Sequence, residues 1–185
     1  MTIPGSTPDS APGPVYFVLG GARSGKTGHA LALVEDLHRN LKLSPVYIAT
    51  AQAFDDEMTD RIDRHKAERG PHWTTVEAPM DLAGALRGAS ARDTVLLVDC
   101  LTLWISNLML ADRDPEAEAP DLVAALNAAP GPVVVVSNEV GLSVVPENAL
   151  ARRFRDVQGR LNQIIASAAD RVEFIAAGLP LRLKG

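Results

Sequence analysis

The chain has 185 residues, a formal net charge of −5 and a single cysteine. That length favours one domain with a sizeable core. The acidic balance excludes non-specific attraction to nucleic acid or membrane surfaces, and one cysteine excludes an intrachain disulfide and fits a reducing cytoplasm.

The first stretch, "MTIPGSTPDSAPGP", has neither the basic start nor the apolar run of a signal peptide. Its Pro, Gly and Ser content reads as a flexible tail over residues 1–14, with one domain over 15–185. "VYFVL" (15–19) predicts a strand, "GGARSGKT" a turn, and a helix follows to about residue 40. "PVYIAT" (45–50) predicts a second strand and 55–69 a charged helix. "WTTVE" (73–77) predicts a short strand, 79–88 a helix and "TVLLVD" (94–99) a buried strand. A helix runs through "LTLWISNLML", and the acidic "ADRDPEAEAP" (111–120) reads as a surface connection. "PVVVVSN" (132–138) predicts a further buried strand. A long helix follows from about residue 146 to 169, with Pro146 in its first turn. "RVEFIAA" and "LRLK" supply two closing strands. In the long helix Leu150, Phe154, Val157, Leu161, Ile164 and Ile165 form the expected buried stripe. Gly159 suits a close backbone approach there. Trp73 and Trp104 read as core or interface residues rather than substrate platforms, and Cys100 as a buried structural thiol.

Continuous apolar runs fit strands covered on both faces, and their alternation with helices implies right-handed βαβ units. The fold class is therefore α/β: a single-domain, three-layer fold with a mostly parallel sheet, which the match of "GGARSGKT" to G-x-x-x-x-G-K-[ST] makes a P-loop NTPase fold. The longest apolar stretch, "VLLVDCLTLWISNLMLA", contains Asp99 and Asn107 and is too short and polar for a membrane span.

Ligands of open parallel sheets bind beyond the carboxyl ends of the strands. The polar motifs fall there: the glycine loop, "TAQ", Asp99 and "SNEVG". "GGARSGKT" comprises Gly20, Gly21, Ala22, Arg23, Ser24, Gly25, Lys26 and Thr27, and matches G-x-x-x-x-G-K-[ST]. Glycines let backbone N–H groups turn towards phosphates, Lys26 reaches the β/γ-phosphates, and the Thr27 hydroxyl suits Mg²⁺. The bland alternative is a glycine-rich turn. Asp99 is either a second Mg²⁺ partner or the N-cap of the helix starting at Leu101.

His65 extends an inward stripe begun by Met58 and Ile62, with Arg61 and Arg69 four residues to either side. Such cationic neighbours disfavour imidazolium and attract phosphate, so His65 reads as a neutral nucleophile, against the alternative of a surface histidine. Asp63, Lys66 and Glu68 fall on the solvent side of that helix. His29, His38 and His72 lack a comparable setting. Arg152, Arg153, Arg155 and Arg160 offer phosphate ligands, with solvated charges the default for at least two.

The blocks "GGARSGKT", "YIATAQAFDDEMTDRIDRHKAERGPHW", "LLVDCLTLWISNLM" and "SNEVGLSVVPENALARRFRDVQGRLNQ" together resemble the bifunctional adenosylcobinamide kinase/adenosylcobinamide-phosphate guanylyltransferases of cobalamin synthesis. The likeness runs from about Val15 to the C-terminus. It implies two reactions: phosphorylation of adenosylcobinamide by ATP or GTP, then transfer of GMP from GTP to the phosphate through a guanylyl-histidine. The family's histidine falls on His65 within "RIDRHK". Its nucleotide contacts fall on the phosphate loop, on Thr50, Ala51 and Gln52, on Lys66 and Arg69, on Glu77 and on Asp99. Contact at Lys66 conflicts with its solvent-side helical position. The resemblance further implies Mg²⁺, a cytoplasmic homo-oligomer, often a trimer, and small-molecule partners with no nucleic acid. Two departures are a shorter connection between "NLM" and "VVVVSN" and the Pro-rich amino terminus. From the residues alone, a P-loop kinase of another substrate and a nucleotide-gated binding protein remain open.

Overall fold

The computed structural model describes residues 11–52 and 69–185. The elements run β1 (Val15–Gly20), α1 (Lys26–Leu41), β2 (Ser44–Ala49), β3 (Thr74–Glu77), α2 (Leu82–Ala89), β4 (Thr94–Asp99), α3 (Leu101–Leu110), α4 (Pro115–Ala128), β5 (Val133–Asn138), α5 (Ala149–Ala168), β6 (Arg171–Ala176) and β7 (Leu179–Lys184). Among the described residues, seven strands form one sheet in the order β3-β2-β4-β5-β1-β6-β7. Each of these pairings is parallel except β6 with β7, a hairpin at the edge.

Alternation along the strands sorts the core into two layers. Phe17, Ile48, Leu96, Val98, Val133 and Val135 face α2–α5, where they meet Leu86, Trp104, Ile105, Leu126, Leu161 and Ile165. Val18, Tyr47, Val95, Leu97, Val134 and Val136 face the other way, onto Ala30 and Val34 of α1. The expected three-layer α/β architecture is therefore present. Strands β4 and β5, central and covered on both sides, are buried almost throughout, which is why their sequences are unbroken apolar runs. Cys100 and Trp104 are buried as expected; Trp104 Nε1 donates to the Met80 carbonyl at 3.0 Å. Trp73 is half-buried, its Nε1 donating to Glu35 at 2.7 Å.

Several expectations need correction. The stretch 111–120 is not merely a connection: from Pro115 it is α4. Pro115 opens the helix, and the Asp114 side chain accepts from the Glu116 amide at 3.1 Å. Ala119, Leu122, Ala125 and Leu126 then bury one stripe. Acidic residues on the outer side masked this periodicity.

Helix α5 begins at Ala149, so Pro146 lies before it. Its cap is Asn148, whose Oδ1 accepts from Leu150 and Ala151 at 2.8 and 3.1 Å. Leu150 and Ile164 are exposed, whereas Gln158 and Asn162 are buried. No close approach occurs at Gly159, where an added Cβ would meet nothing within 4 Å among the described residues. Helix α2 starts three residues later than 79, because Asp81 caps it by accepting from Gly84 at 2.8 Å. The charged helix expected over 55–69 lies outside the described residues, apart from Arg69. Within the amino-terminal stretch, the Gly13 amide donates to the Ala129 carbonyl at 2.8 Å, and the Pro14 carbonyl accepts from Val133 at 3.0 Å.

Candidate functional site

The phosphate loop joins β1 to α1 at the carboxyl edge of the sheet. Gly25 is the N-cap of α1 with φ 94°, and no side chain caps the helix among the described residues. The amides of its first turn are thus left for an anion, at the positive end of the helix. An added Cβ at Gly25 would approach Gly178 Cα to 3.1 Å. Gly178, in the β6–β7 turn, donates its amide to the Ser24 carbonyl at 2.8 Å, so the terminal hairpin buttresses the loop. Lys26 is buried at the helix start, and its Nζ donates to the Gly21 carbonyl at 3.0 Å. Ser24 Oγ is buried without a hydrogen-bond partner among the described residues. Thr27 is half-buried beside them.

Asp99 ends β4. It does not cap α3, whose N-cap is Cys100 with no side-chain hydrogen bond. Its Oδ2 instead accepts from the Tyr47 hydroxyl at 3.1 Å. Burial first, and then the Asp99 charge, push the Tyr47 hydroxyl far above the usual tyrosine range, so it remains a donor. The Arg69 guanidinium lies 3.7 Å over the Tyr47 ring, a cation–π contact, and Arg69 Nη1 is buried without a hydrogen-bond partner among the described residues.

Thr50 is wholly buried. Its hydroxyl donates to the Cys100 carbonyl and accepts from the Cys100 amide, both at 2.8 Å, and its own carbonyl accepts from Asn107 at 2.8 Å. Its hydroxyl therefore locks the end of β2 to the end of β4. Ala51 and Gln52 follow, half-buried. Glu77, exposed, ends β3 level with Ala49 and hence with Asp99. The register thus brings the phosphate loop, residues 50–52, Glu77 and Asp99 to one edge. His65 and Lys66 lie outside the described residues.

Three of the arginines of α5 are engaged elsewhere. Arg152 closes over the Pro146 and Glu147 carbonyls, Arg155 pairs with Asp156 and Arg160 with Glu116. His38 and His72 stack together at 4.8 Å. His29 is less bland than expected: its Nε2 meets the buried Glu173 at 2.8 Å. Sequence reading passed over Tyr47, which shares the α1 face with Asp99 and could have been found by alternation along β2. It also passed over a buried polar network. Ser137 and Gln158 hydrogen-bond to Asn162 Oδ1 at 2.8 and 3.0 Å, and Asn162 Nδ2 donates to the Asn138 carbonyl at 3.0 Å. Two amides four residues apart on an otherwise apolar stripe were its signal.

A metal would find oxygen donors here in Thr27 and Asp99. No group of three or more His, Cys, Asp or Glu among the described residues could hold an ion. One hydroxyl and one carboxylate suit Mg²⁺, which keeps water and phosphate oxygens for its remaining positions.

Two bifunctional adenosylcobalamin biosynthesis proteins are similar over most of the chain. CobP of Pseudomonas aeruginosa is 49% identical over 172 residues, covering 91% of this chain and 96% of its own. CobU of Salmonella typhimurium is 42% identical over 185 residues, covering 92% and 99%. Among solved structures, the flagellar accessory protein FlaH of Methanocaldococcus jannaschii superposes with a TM-score of 0.56 at 15% identity, covering 94% of this chain and 79% of that one. A KaiC-like protein of Pyrococcus horikoshii gives 0.52 at 16%, covering 88% and 71%. These two likenesses establish the P-loop NTPase fold alone. No helix among the described residues is long and apolar enough to cross a membrane. The profile of one family matches residues 16–183, and with relatives this similar the chain belongs to the cobinamide kinase / cobinamide phosphate guanyltransferase family.

Proposed function

We propose that this enzyme phosphorylates the free hydroxyl of adenosylcobinamide with ATP or GTP, then transfers GMP from GTP to the resulting phosphate. The observation carrying this reading is the uncapped phosphate loop at the same sheet edge as the Tyr47-held Asp99 carboxylate. In the kinase step, the loop amides and Lys26 bind the triphosphate and hold its negative charge in a fixed field. Thr27 and Asp99 would hold Mg²⁺, which when bound offsets charge on the phosphate oxygens. Ala51, Gln52, Arg69 and Glu77 border the nucleotide along the edge, and Thr50 ties the backbone before Ala51 to Cys100.

In the transfer step, a neutral His65 ring nitrogen forms a bond to the α-phosphorus of GTP while the bond to pyrophosphate breaks. An oxygen of cobinamide phosphate then attacks the same phosphorus and the nitrogen–phosphorus bond breaks, returning His65. Lys66 adds positive charge beside it. Residues 15–185 form the catalytic domain. The protein works in the cytoplasm as a homo-oligomer, with a trimer favoured by the resemblance.

The test is incubation with Mg²⁺ and GTP labelled at the α-phosphate, beside His65→Ala, followed by denaturation. Wild type is expected to retain label that is stable to alkali and labile to acid, and the variant none. Unlabelled wild type that still binds GTP would remove His65 from this role.

A further inference from the structure

Between the end of β5 and the cap of α5 the chain runs "EVGLSVVPEN", and this segment exposes what the rest of the fold hides. Leu142 is 83% exposed, Val144 90% and Val145 61%. Leu150, in the first turn of α5, is exposed beside them in sequence. Leu41 and Leu110, also exposed, end helices at the opposite edge of the sheet, and three further exposed leucines lie along the edge strand β7. Among the described residues, no other segment at the carboxyl edge exposes more than one large apolar side chain.

The segment starts beside the phosphate loop, since β5 lies between β1 and β4 and the Glu139 amide donates to the Gly20 carbonyl at 3.0 Å. Hydrogen bonds fix its course. The Gly141 amide donates to the Glu139 carboxylate, and Ser143 Oγ to the Val140 carbonyl at 3.3 Å. Arg152 donates to the Pro146 and Glu147 carbonyls at 2.9 and 2.6 Å. The polar groups are thus tied within the segment and to α5, while the apolar side chains are left in water. Apolar surface gathered in this way marks a binding surface.

The chemistry of the acceptor says what covers it. Adenosylcobinamide carries its reacting hydroxyl on a short arm of a much larger macrocycle. That hydroxyl has to reach the terminal phosphate of a nucleotide held by the phosphate loop, so the ring has to rest on what borders the loop. The rim of a corrin ring bears methyl groups and neutral amides, and its alkylated cobalt(III) leaves the whole molecule a cation. Residues 139–147 offer apolar side chains with two carboxylates, Glu139 and Glu147, and no basic side chain. The same charge tells against an anionic lipid surface or a nucleic acid.

We propose that Leu142, Val144 and Val145 form the seat of the corrin ring of adenosylcobinamide; the proposal rests on the function proposed above and names residues that grip its acceptor. The ring covers these side chains while its hydroxyl arm crosses the end of β5 to the phosphate loop. Water released from the methyl rim and from the three side chains supplies affinity, and the two carboxylates add opposite charge.

The test is calorimetry, in the dark, on wild type and on a variant combining Leu142→Ser, Val144→Ser and Val145→Ser. The β,γ-imido analogue of GTP is titrated with Mg²⁺, and adenosylcobinamide is then titrated into the analogue-saturated protein. Sedimentation velocity gives the assembly state of each protein. The variant is expected to lose about tenfold or more in affinity for adenosylcobinamide and less than twofold for the analogue, with assembly unchanged. Unchanged affinity for adenosylcobinamide, or equal losses for both ligands, would overturn the proposal. A variant that no longer assembles would also overturn it and assign the face to a second copy of the chain. Wild type that binds the analogue but no adenosylcobinamide would overturn the functional reading itself. Should the variant fail to fold, amide hydrogen exchange of wild type decides. Slower exchange over residues 140–145 on adding adenosylcobinamide supports the seat, and unaltered exchange there refutes it.

Discussion

Tyr47 donates its hydroxyl to Asp99 while its ring carries the Arg69 guanidinium. Tyr47→Phe keeps the ring and removes one hydrogen bond to a buried-edge carboxylate, which costs about 1–2 kcal/mol. Urea titrations should show that loss, and the Mg²⁺ concentration for half-maximal kinase activity should rise severalfold because Asp99 loses its tether. Unchanged values for both would dissociate Tyr47 from the Asp99 site. Cys100, one residue further on, behaves differently. Burial first, then the Asp99 charge, push its thiol up to about 11. It therefore stays protonated well above neutrality and out of reach. A maleimide at pH 8 should leave the folded protein unmodified and label it once urea unfolds it. The Tyr47 role was not readable from composition, since it depends on a neighbour from another strand, whereas burial of the Cys100 thiol was expected from its place at the end of an apolar strand.

At the scale of elements, legibility followed the source of each signal. The strands were plain because four to six consecutive apolar residues have few alternative uses, as in "TVLLVD" and "PVVVVSN". Helix α4 was obscured by Glu116 and Glu118 and by Pro120 in its second turn, which deprives the helix of one amide donor. The start of α5 lies later than expected. Pro146 suits a first turn, but Asn148 supplies the oxygen that the open amides need. Asn148→Ala should lower stability by about 1 kcal/mol, measured by denaturant unfolding, with nucleotide affinity unchanged. A loss within error of zero would mean that Arg152, which closes over the Pro146 and Glu147 carbonyls, holds this end unaided.

For the whole molecule, Glu173 ties three elements together. It is buried in β6, hydrogen-bonds to His29 of α1, and pairs with Arg171 beside it, with Arg182 of β7 3.9 Å away. Burial alone would raise its pKa, but the Arg171 and His29 hydrogen bonds outweigh that and hold it below the usual carboxylate range. A depressed folded-state pKa adds stability that is fully present above the unfolded value, about 4.3. That contribution is lost as pH falls through the lower folded-state value. Unfolding free energies measured from pH 7 down to 3 should therefore fall less steeply for Glu173→Gln than for wild type. Parallel curves would assign the acid sensitivity to other carboxylates.

Chemistry written in consecutive residues was legible from the chain alone: a loop shaped for phosphate, parallel strands buried on both faces, and an acid at a strand end. The family blocks carried the same information at greater length. What waited for the fold was the alignment of distant strand ends. Tyr47 reaches Asp99 across 52 positions, and Asn138 lies level with Gly20 through the β1–β5 register. Helix α5 buries Gln158 and Asn162 while exposing Leu150. The reason is physical. A turn or a strand preference acts through neighbours in the chain, whereas register and burial are set by packing between segments that the chain keeps far apart.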